Sequence, residues 1–371
     1  MSGENGSDQD GTAAGQVDAD RIAAVLLPLL GCLERLNGIQ RHMHPPALGH
    51  LLSDAGRFPD LRAARPAISD WPDHLGPLGE QLAKVADHAL SGFDELNAAV
   101  QSPDVLQLAY KALRHVPKAM EALYPLAGLF PSVSRFFLDP DHRDDPDLLE
   151  RLTGIAPDGT GVLAVGKDIT ERSTVWFYVP ETIAEDTPVP LIVAMHGGAG
   201  KGRGFLWSWI RTARSRGAVL IAPTSLGSTW ALQGDDIDSP HLAEIVKFAQ
   251  QKWSIDPARM LLTGMSDGGT FTYVSGLGAD SPFTHLAPFS AAFHPMLGEF
   301  ADRQRLKDLP IHIVHGRLDW MFPAEMAGHA HEFLQTFGAR VTCRVIDDLS
   351  HTYASDLNGD VMDWMNATVE G

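Results

Sequence analysis

Thr263-Gly264-Met265-Ser266-Asp267-Gly268-Gly269-Thr270 follows the apolar run Met260-Leu261-Leu262, and its reading decides the fold. A short buried strand here enters a turn with glycine two residues either side of a serine, and helix-compatible sequence follows. Such a reversal is so tight that a Cβ at Gly264 or Gly268 would collide with its neighbours. The turn lifts the Ser266 hydroxyl above a sheet edge, where a base can reach it and a carbonyl carbon can approach. A serine hydroxyl is otherwise a weak nucleophile near neutral pH.

The remaining parts come in chain order. Ile311-His312-Ile313-Val314-His315 reads as a strand, and Gly316-Arg317-Leu318-Asp319 puts a carboxylate just past its carboxyl end. Val341–Ile346 reads as the last strand, followed by His351 and a closing helix. Ser266 as nucleophile, His351 as base and Asp319 as the acid that orients it are the expected set. Asp267 is adjacent to the nucleophile and is expected to point away from it. Asp347 and Asp348 lie too near His351 to come from a separate strand end, and His285, His294, His329 and His331 read as ordinary polar histidines.

Leu191-Ile192-Val193-Ala194-Met195 is a continuous apolar run that ends in His196-Gly197-Gly198-Ala199-Gly200. Such a run suits a strand buried on both faces. Backbone amides of Gly198 and Gly197, with that of Asp267, are expected to form an oxyanion hole. No lysine followed by Ser or Thr stands at phosphate-loop spacing, and no Gly-x-Gly-x-x-Gly occurs here, so nucleotide binding is not expected.

These residues, His196-Gly197-Gly198, Gly264 to Gly269, His315-Gly316-Arg317-Leu318-Asp319 with Pro323, and His351, together resemble the α/β-hydrolase superfamily. The likeness points to its esterase branch of phospholipase/carboxylesterases, feruloyl esterases and polyhydroxybutyrate depolymerase-like proteins. Asp235-Asp236-Ile237 and Ile255-Asp256-Pro257-Ala258-Arg259 are similar to that branch as well. The resemblance covers about residues 160 to 368. It implies a serine hydrolase of carboxylic esters, such as short polyesters or phenolic esters, with no metal and no organic cofactor. Serine peptidase or acyltransferase activity shares the same triad order, and a non-catalytic binding scaffold is the reading from another class.

From Gly161 onward strands and helices alternate. Val162–Val165, Thr174–Val179, Leu191–Met195, Val219–Ala222, Met260–Thr263, Leu286–Phe289, Ile311–His315 and Val341–Ile346 are the expected strands. The first two are expected to be antiparallel and the rest parallel, with helices on both faces. This α/β fold, a mostly parallel eight-stranded sheet, brings the three catalytic side chains to its carboxyl edge.

Upstream, Ile22, Val25, Leu26, Leu29, Leu30, Leu33 and Leu36 recur at helical spacing, and further helices are expected over Leu78–Asn97 and Asp104–Ala122. The expected organisation is a disordered tail over 1–20, a helical domain or lid over 21–137, a linker over 138–160 and a catalytic domain over 161–371. The helical region leaves homo-oligomerisation open. His42, His44 and His50 share no ligand-like spacing with a cysteine or carboxylate and read as surface histidines rather than a metal cluster.

A net charge of −18 argues against nucleic acid and anionic lipid as partners. With no basic-then-apolar leader, no 18-residue apolar span and only Cys32 and Cys343, a cytoplasmic protein without a membrane span is expected. Trp207, Trp230 and Trp320 are expected to line an apolar substrate pocket above the sheet edge, because tryptophan offers a large rigid contact surface. An ester of small or oligomeric size is the expected ligand.

Overall fold

The computed structural model describes residues 7–184, 186–299 and 301–370. The chain divides into two compact units: residues 1–39 with 45–126, and residues 40–44 with 127–371.

The first unit is helical. Its opening helix, Ser7–Arg41, buries Val25, Leu26, Leu29, Cys32, Leu33, Leu36 and Ile39, the apolar face expected from the spacing. The helix starts well inside the stretch expected to be a tail. Ala13, Ala14, Gln16 and Ala19 favour helix and extend the nucleus that the apolar face provides. Residues 1–6 of that tail lie outside the described residues. By length and composition alone Gln16–Arg41 is apolar enough to cross a membrane. Its buried face is also that of a core helix.

The helix Gly76–Val100 buries Leu82, Val85, Ala86, Ala89, Phe93, Leu96 and Ala99. The expected helix over Asp104–Ala122 is two, Val105–Leu113 and His115–Leu123. Pro117 has no N–H to return to the Leu113 carbonyl, so the hydrogen-bond ladder breaks there.

In the second unit the described residues form one eight-stranded sheet: β1 Gly161–Val165, β2 Val175–Val179, β3 Val189–Met195, β4 Val219–Ala222, β5 Ile255–Met265, β6 His285–Phe289, β7 Pro310–Leu318 and β8 Arg340–Ser350. Their spatial order is β1-β2-β4-β3-β5-β6-β7-β8. β1 pairs antiparallel with β2, and β2 antiparallel with β4, while every later pair is parallel. All eight expected strands are present. The central ones form because their runs are apolar throughout: Leu191 to Met195 and Val219 to Ala222 have no exposed surface.

Asp139, at the start of the stretch 138–160 expected to be a linker, is bonded within this unit. Asp139 accepts a hydrogen bond from Thr212 Oγ1 at 2.9 Å, and its amide donates to Ser215 Oγ at 2.8 Å. Both partners lie on the helix Gly202–Arg216. Next to them Arg214, almost fully buried, donates to the Ser134 carbonyl at 3.0 Å. The unit boundary therefore falls near 126, before the polar proline-bounded stretch.

Candidate active site

Three strand ends deliver the triad. β5 stops at Met265, β7 at Leu318 and β8 at Ser350, so Ser266, Asp319 and His351 are each the first residue beyond a parallel strand. Ser266 has φ 55° and ψ −116°, a strained backbone for an L residue. It is held by its amide donating to the Phe289 carbonyl at 3.0 Å and its carbonyl accepting from the Thr270 amide at 2.8 Å. A Cβ on Gly264 would stand 2.5 Å from the Gly268 carbonyl carbon. One on Gly268 would stand 2.5 Å from the Met195 oxygen. No side chain fits either position.

His351 Nε2 lies 3.0 Å from Ser266 Oγ, and its Nδ1 lies 2.9 and 3.0 Å from the two Asp319 oxygens. Ser266 is buried, and so are the side chains of His351 and Asp319. The Asp319 carboxylate also accepts from the amides of Met321 at 2.9 Å and Phe322 at 2.8 Å. Burial pushes this carboxyl up, but the hydrogen bonds from His351 and these amides outweigh it, and its pKa falls below the usual carboxylate value. Asp319 is thus an anion with both oxygens aimed at the imidazole. It fixes the proton on Nδ1 and leaves the Nε2 lone pair for the serine proton. His315, buried on β7, donates from Nε2 to the Phe322 carbonyl at 3.0 Å and ties the acid turn back to its strand. His285 and His294 stand elsewhere: His285 is bonded to Thr284 and Thr368, and His294 is exposed.

The Gly197-Gly198 loop abuts the serine: a Cβ on Gly197 would be 3.5 Å from Ser266 Cβ. His196 sets its orientation. Its Nε2 accepts from the Ser225 amide at 3.1 Å, so the ring proton sits on Nδ1 and is donated to the Gly197 carbonyl at 2.7 Å. The Gly200 amide donates to the same carbonyl at 3.1 Å. A trans peptide points its N–H opposite to its C=O, so the Gly198 amide faces away from the His196 ring. Burial drives the His196 imidazole down to about 4, which keeps it neutral as this bonding requires.

Asp267 opens the helix Asp267–Gly276, and its amide is among the N-terminal groups without an intrahelical acceptor. Its carboxylate accepts from the Thr229 hydroxyl, beside Gly198. Buried Asp238 accepts from the amides of Leu226 and Ala231, both at 2.8 Å, and fixes the loop that carries Thr229 and Trp230. His196, Asp238 and Thr229 were not singled out from sequence. His196 alone left a signal there, as the residue opening the glycine loop.

The tryptophans divide. Trp320 is 41 % exposed and its ring lies 5.6 Å from that of His351, with Phe322 on another side at 5.3 Å. Trp230 is 3 % exposed; it donates from Nε1 to the His196 carbonyl at 2.8 Å and stacks on Phe271. Trp207 is also buried, in ring contact with Phe137. Both are packed inside the unit, unlike Trp320. Trp230 props the loop that His196 opens, because its one polar atom finds a backbone partner there.

A family model described as Phospholipase/Carboxylesterase matches residues 236–369. A bifunctional acetylxylan esterase/xylanase of Neocallimastix patriciarum is 31% identical over 150 residues, 38% of this chain. The match spans about a fifth (21%) of that relative's length. Among solved structures, a thermostable esterase is similar at 20% identity and a TM-score of 0.42, covering 56% of this chain and 61% of that one. The acetyl xylan esterase from Aspergillus awamori is similar at 16% identity and a TM-score of 0.43, covering 56% of this chain. Strand order, strained serine turn and hydrogen-bonded Ser-His-Asp set are those of an α/β-hydrolase fold, and within it residues 236–369 are similar to the Phospholipase/Carboxylesterase family.

Proposed function

We propose that the protein is a serine hydrolase that cleaves carboxylic esters through an acyl-enzyme on Ser266. The observation that carries this reading is the placement of His351 within hydrogen-bond reach of both Ser266 and Asp319. In the first half-reaction Ser266 Oγ attacks the ester carbonyl while His351 Nε2 takes its proton. The imidazolium, stabilised by Asp319, then returns that proton to the leaving alcohol. In the second half-reaction His351 activates water, and the acid leaves. The amides of Gly198 and Asp267, with Gly197 as the flanking residue, are assigned to the tetrahedral oxyanion. The orientation imposed by His196 supports Gly198, and the helix N-terminus supports Asp267.

A small-molecule ester suits the site. Within that class, short acyl groups such as acetyl are our reading, supported by the acetylxylan esterase relative and by aromatic rings close on two sides of His351. Labelling with a fluorophosphonate is expected for the wild type and not for Ser266→Ala, and p-nitrophenyl acetate is expected to be turned over faster than the octanoate. Equal labelling of the two proteins, or none, would instead favour the scaffold reading. Product analysis with an added alcohol separates hydrolysis from acyl transfer. Cytoplasmic placement belongs to the same proposal, supported by Cys32 and Cys343 both being free thiols.

Trp320 is assigned to the substrate rim. Trp320→Ala is expected to raise KM for aryl esters by about three- to tenfold, the loss of one partly desolvated aromatic contact, and to flatten chain-length preference. Steady-state kinetics across a C2 to C8 series tests this. An unchanged preference removes Trp320 from the rim.

A further inference from the structure

The residues on either side of the catalytic histidine are bonded to backbone more than three hundred positions away, within the same unit. Ser350 Oγ donates to the Met43 carbonyl, and Thr352 Oγ1 donates to the Gln40 carbonyl at 2.7 Å. Ser350, Thr352 and Met43 are nearly inaccessible, at 1, 3 and 1 % exposure. Between those carbonyls, Arg41 donates from Nε to Asp356 at 2.7 Å and from Nη2 to Asp348 at 3.2 Å, so one guanidinium bridges points before and after His351. His42 adds a contact to Asp348 at 3.4 Å.

The helix Ser7–Arg41 ends here, where the Gln40 carbonyl accepts from the Met43 amide at 3.4 Å and Met43 itself lies past the last turn. Thr352 adds a second bond to the Gln40 carbonyl, and Ser350 bonds the Met43 carbonyl just beyond the helix. Each hydroxyl, once buried, in turn needs its acceptor, since an unpaired buried hydroxyl costs about 1–3 kcal/mol. With the side chains of Ser350 and Thr352 directed at segment 40–44, the imidazole between them is directed the other way, at Ser266 and Asp319.

Resting on the serine-hydrolase reading above, we propose that residues 40–44 form a positioning strap for His351, acting through Ser350, Thr352 and Arg41. These three are positioning residues, which act through the backbone of the loop that carries His351. The strap gives the amino-terminal part of the chain a role in catalysis. It sets the imidazole within the reach that proton transfer demands, where a displacement near 1 Å costs about a hundredfold in rate.

The test removes the hydroxyls without removing volume. Thr352→Val and Ser350→Ala, singly and together, are assayed in the full chain with p-nitrophenyl acetate, alongside the second-order rate of fluorophosphonate labelling. The double variant is expected to lose about tenfold or more in both kcat and labelling rate with KM held within about twofold. Thr352→Ser, which restores the donor, is expected to stay near wild type, a rescue that a merely space-filling role would not produce. If the double variant does not fold, Arg41→Gln carries the test, with an expected fall in kcat of several-fold and unchanged KM. Wild-type kcat in the double variant, or in Arg41→Gln where that is the variant assayed, would overturn the strap while labelling of Ser266 leaves the hydrolase reading standing. A loss expressed only in KM would overturn it as well. Absence of labelling in the wild type would overturn both.

Discussion

Ser266→Ala is expected to lose about 10⁴- to 10⁶-fold in kcat, because the covalent route disappears with the hydroxyl and water has no positioned replacement. His351→Ala is expected to fall into the same range: without the base at 3.0 Å, the serine proton has nowhere to go during attack. The informative experiment is the double variant. Since both residues serve one proton-coupled step, removing the second after the first costs little, and the two losses do not multiply. Asp319→Asn is expected to lose about 10⁴-fold for a different reason. An amide offered to Nδ1 no longer fixes the tautomer, and the imidazolium loses its counter-charge. Residual turnover above the uncatalysed rate remains through the oxyanion amides and binding. Rates are read from progress curves after active-site titration, so that trace wild-type enzyme is not mistaken for residual activity. A Ser266→Ala protein keeping a tenth of wild-type kcat, or a double variant losing the product of the single losses, would overturn the assignment.

Mild acid is expected to destabilise the protein strongly, through histidines that the catalytic cycle does not use. Burial drives the imidazoles of His196, His285 and His312 down to about 4 each. All are nearly inaccessible and bonded as neutral rings: His285 to the Thr284 and Thr368 hydroxyls, His312 to the Thr342 hydroxyl at 2.7 Å. In the unfolded chain each titrates near 6.5. Between those values the unfolded state binds protons that the native state refuses, so stability rises with pH across the window and is lost as pH falls from about 6.5 toward 4. Each ring contributes about 3 kcal/mol by the acid end, and three together rival the whole stability of an ordinary domain. Asp319 works in the opposite sense. Its depressed pKa contributes stability that is present above the unfolded carboxyl value near 4 and disappears only as pH drops below it. Thermal midpoints measured from pH 7 to pH 4.5 are expected to fall steadily, and His285→Gln with His312→Gln to flatten that fall. A midpoint level across the window would contradict neutral burial of these rings. Activity follows stability here, because a protonated His196 Nε2 would face the Ser225 amide donor to donor and release the Gly197 carbonyl's neighbourhood from its present orientation.

Much of the catalytic unit was legible because its signals are local. Strands such as Leu191 to Met195 are read from unbroken apolar runs, and the serine turn from glycines that no other residue can replace there. Asp319 and His351 follow from chain order alone, since a strand end fixes where the next side chain emerges. What escaped depends on contacts between commonplace groups. Nothing in Asp238 announces that it will hold two amides of a loop, and the hydroxyls of Ser350 and Thr352 resemble any others in the chain. The partner of Trp230 escaped for a related reason: nothing in its loop announces that the His196 carbonyl accepts its indole N–H. Asp139 misled by composition. In a proline-bounded acidic stretch it reads as solvated, whereas Thr212 and Ser215 bond it within the unit.

The strap also bears on how the molecule assembles. Its hydrogen bonds join residues 307 and 312 positions apart. Closing a loop of that length costs about 5 kcal/mol of chain entropy before any contact offsets it. Such long-range closures belong late on a folding route, after the helices and neighbouring strand pairs have formed. A refolding chain would then regain its tryptophan emission well before it regains turnover, because the geometry around the imidazole is completed by pairings more than three hundred positions apart.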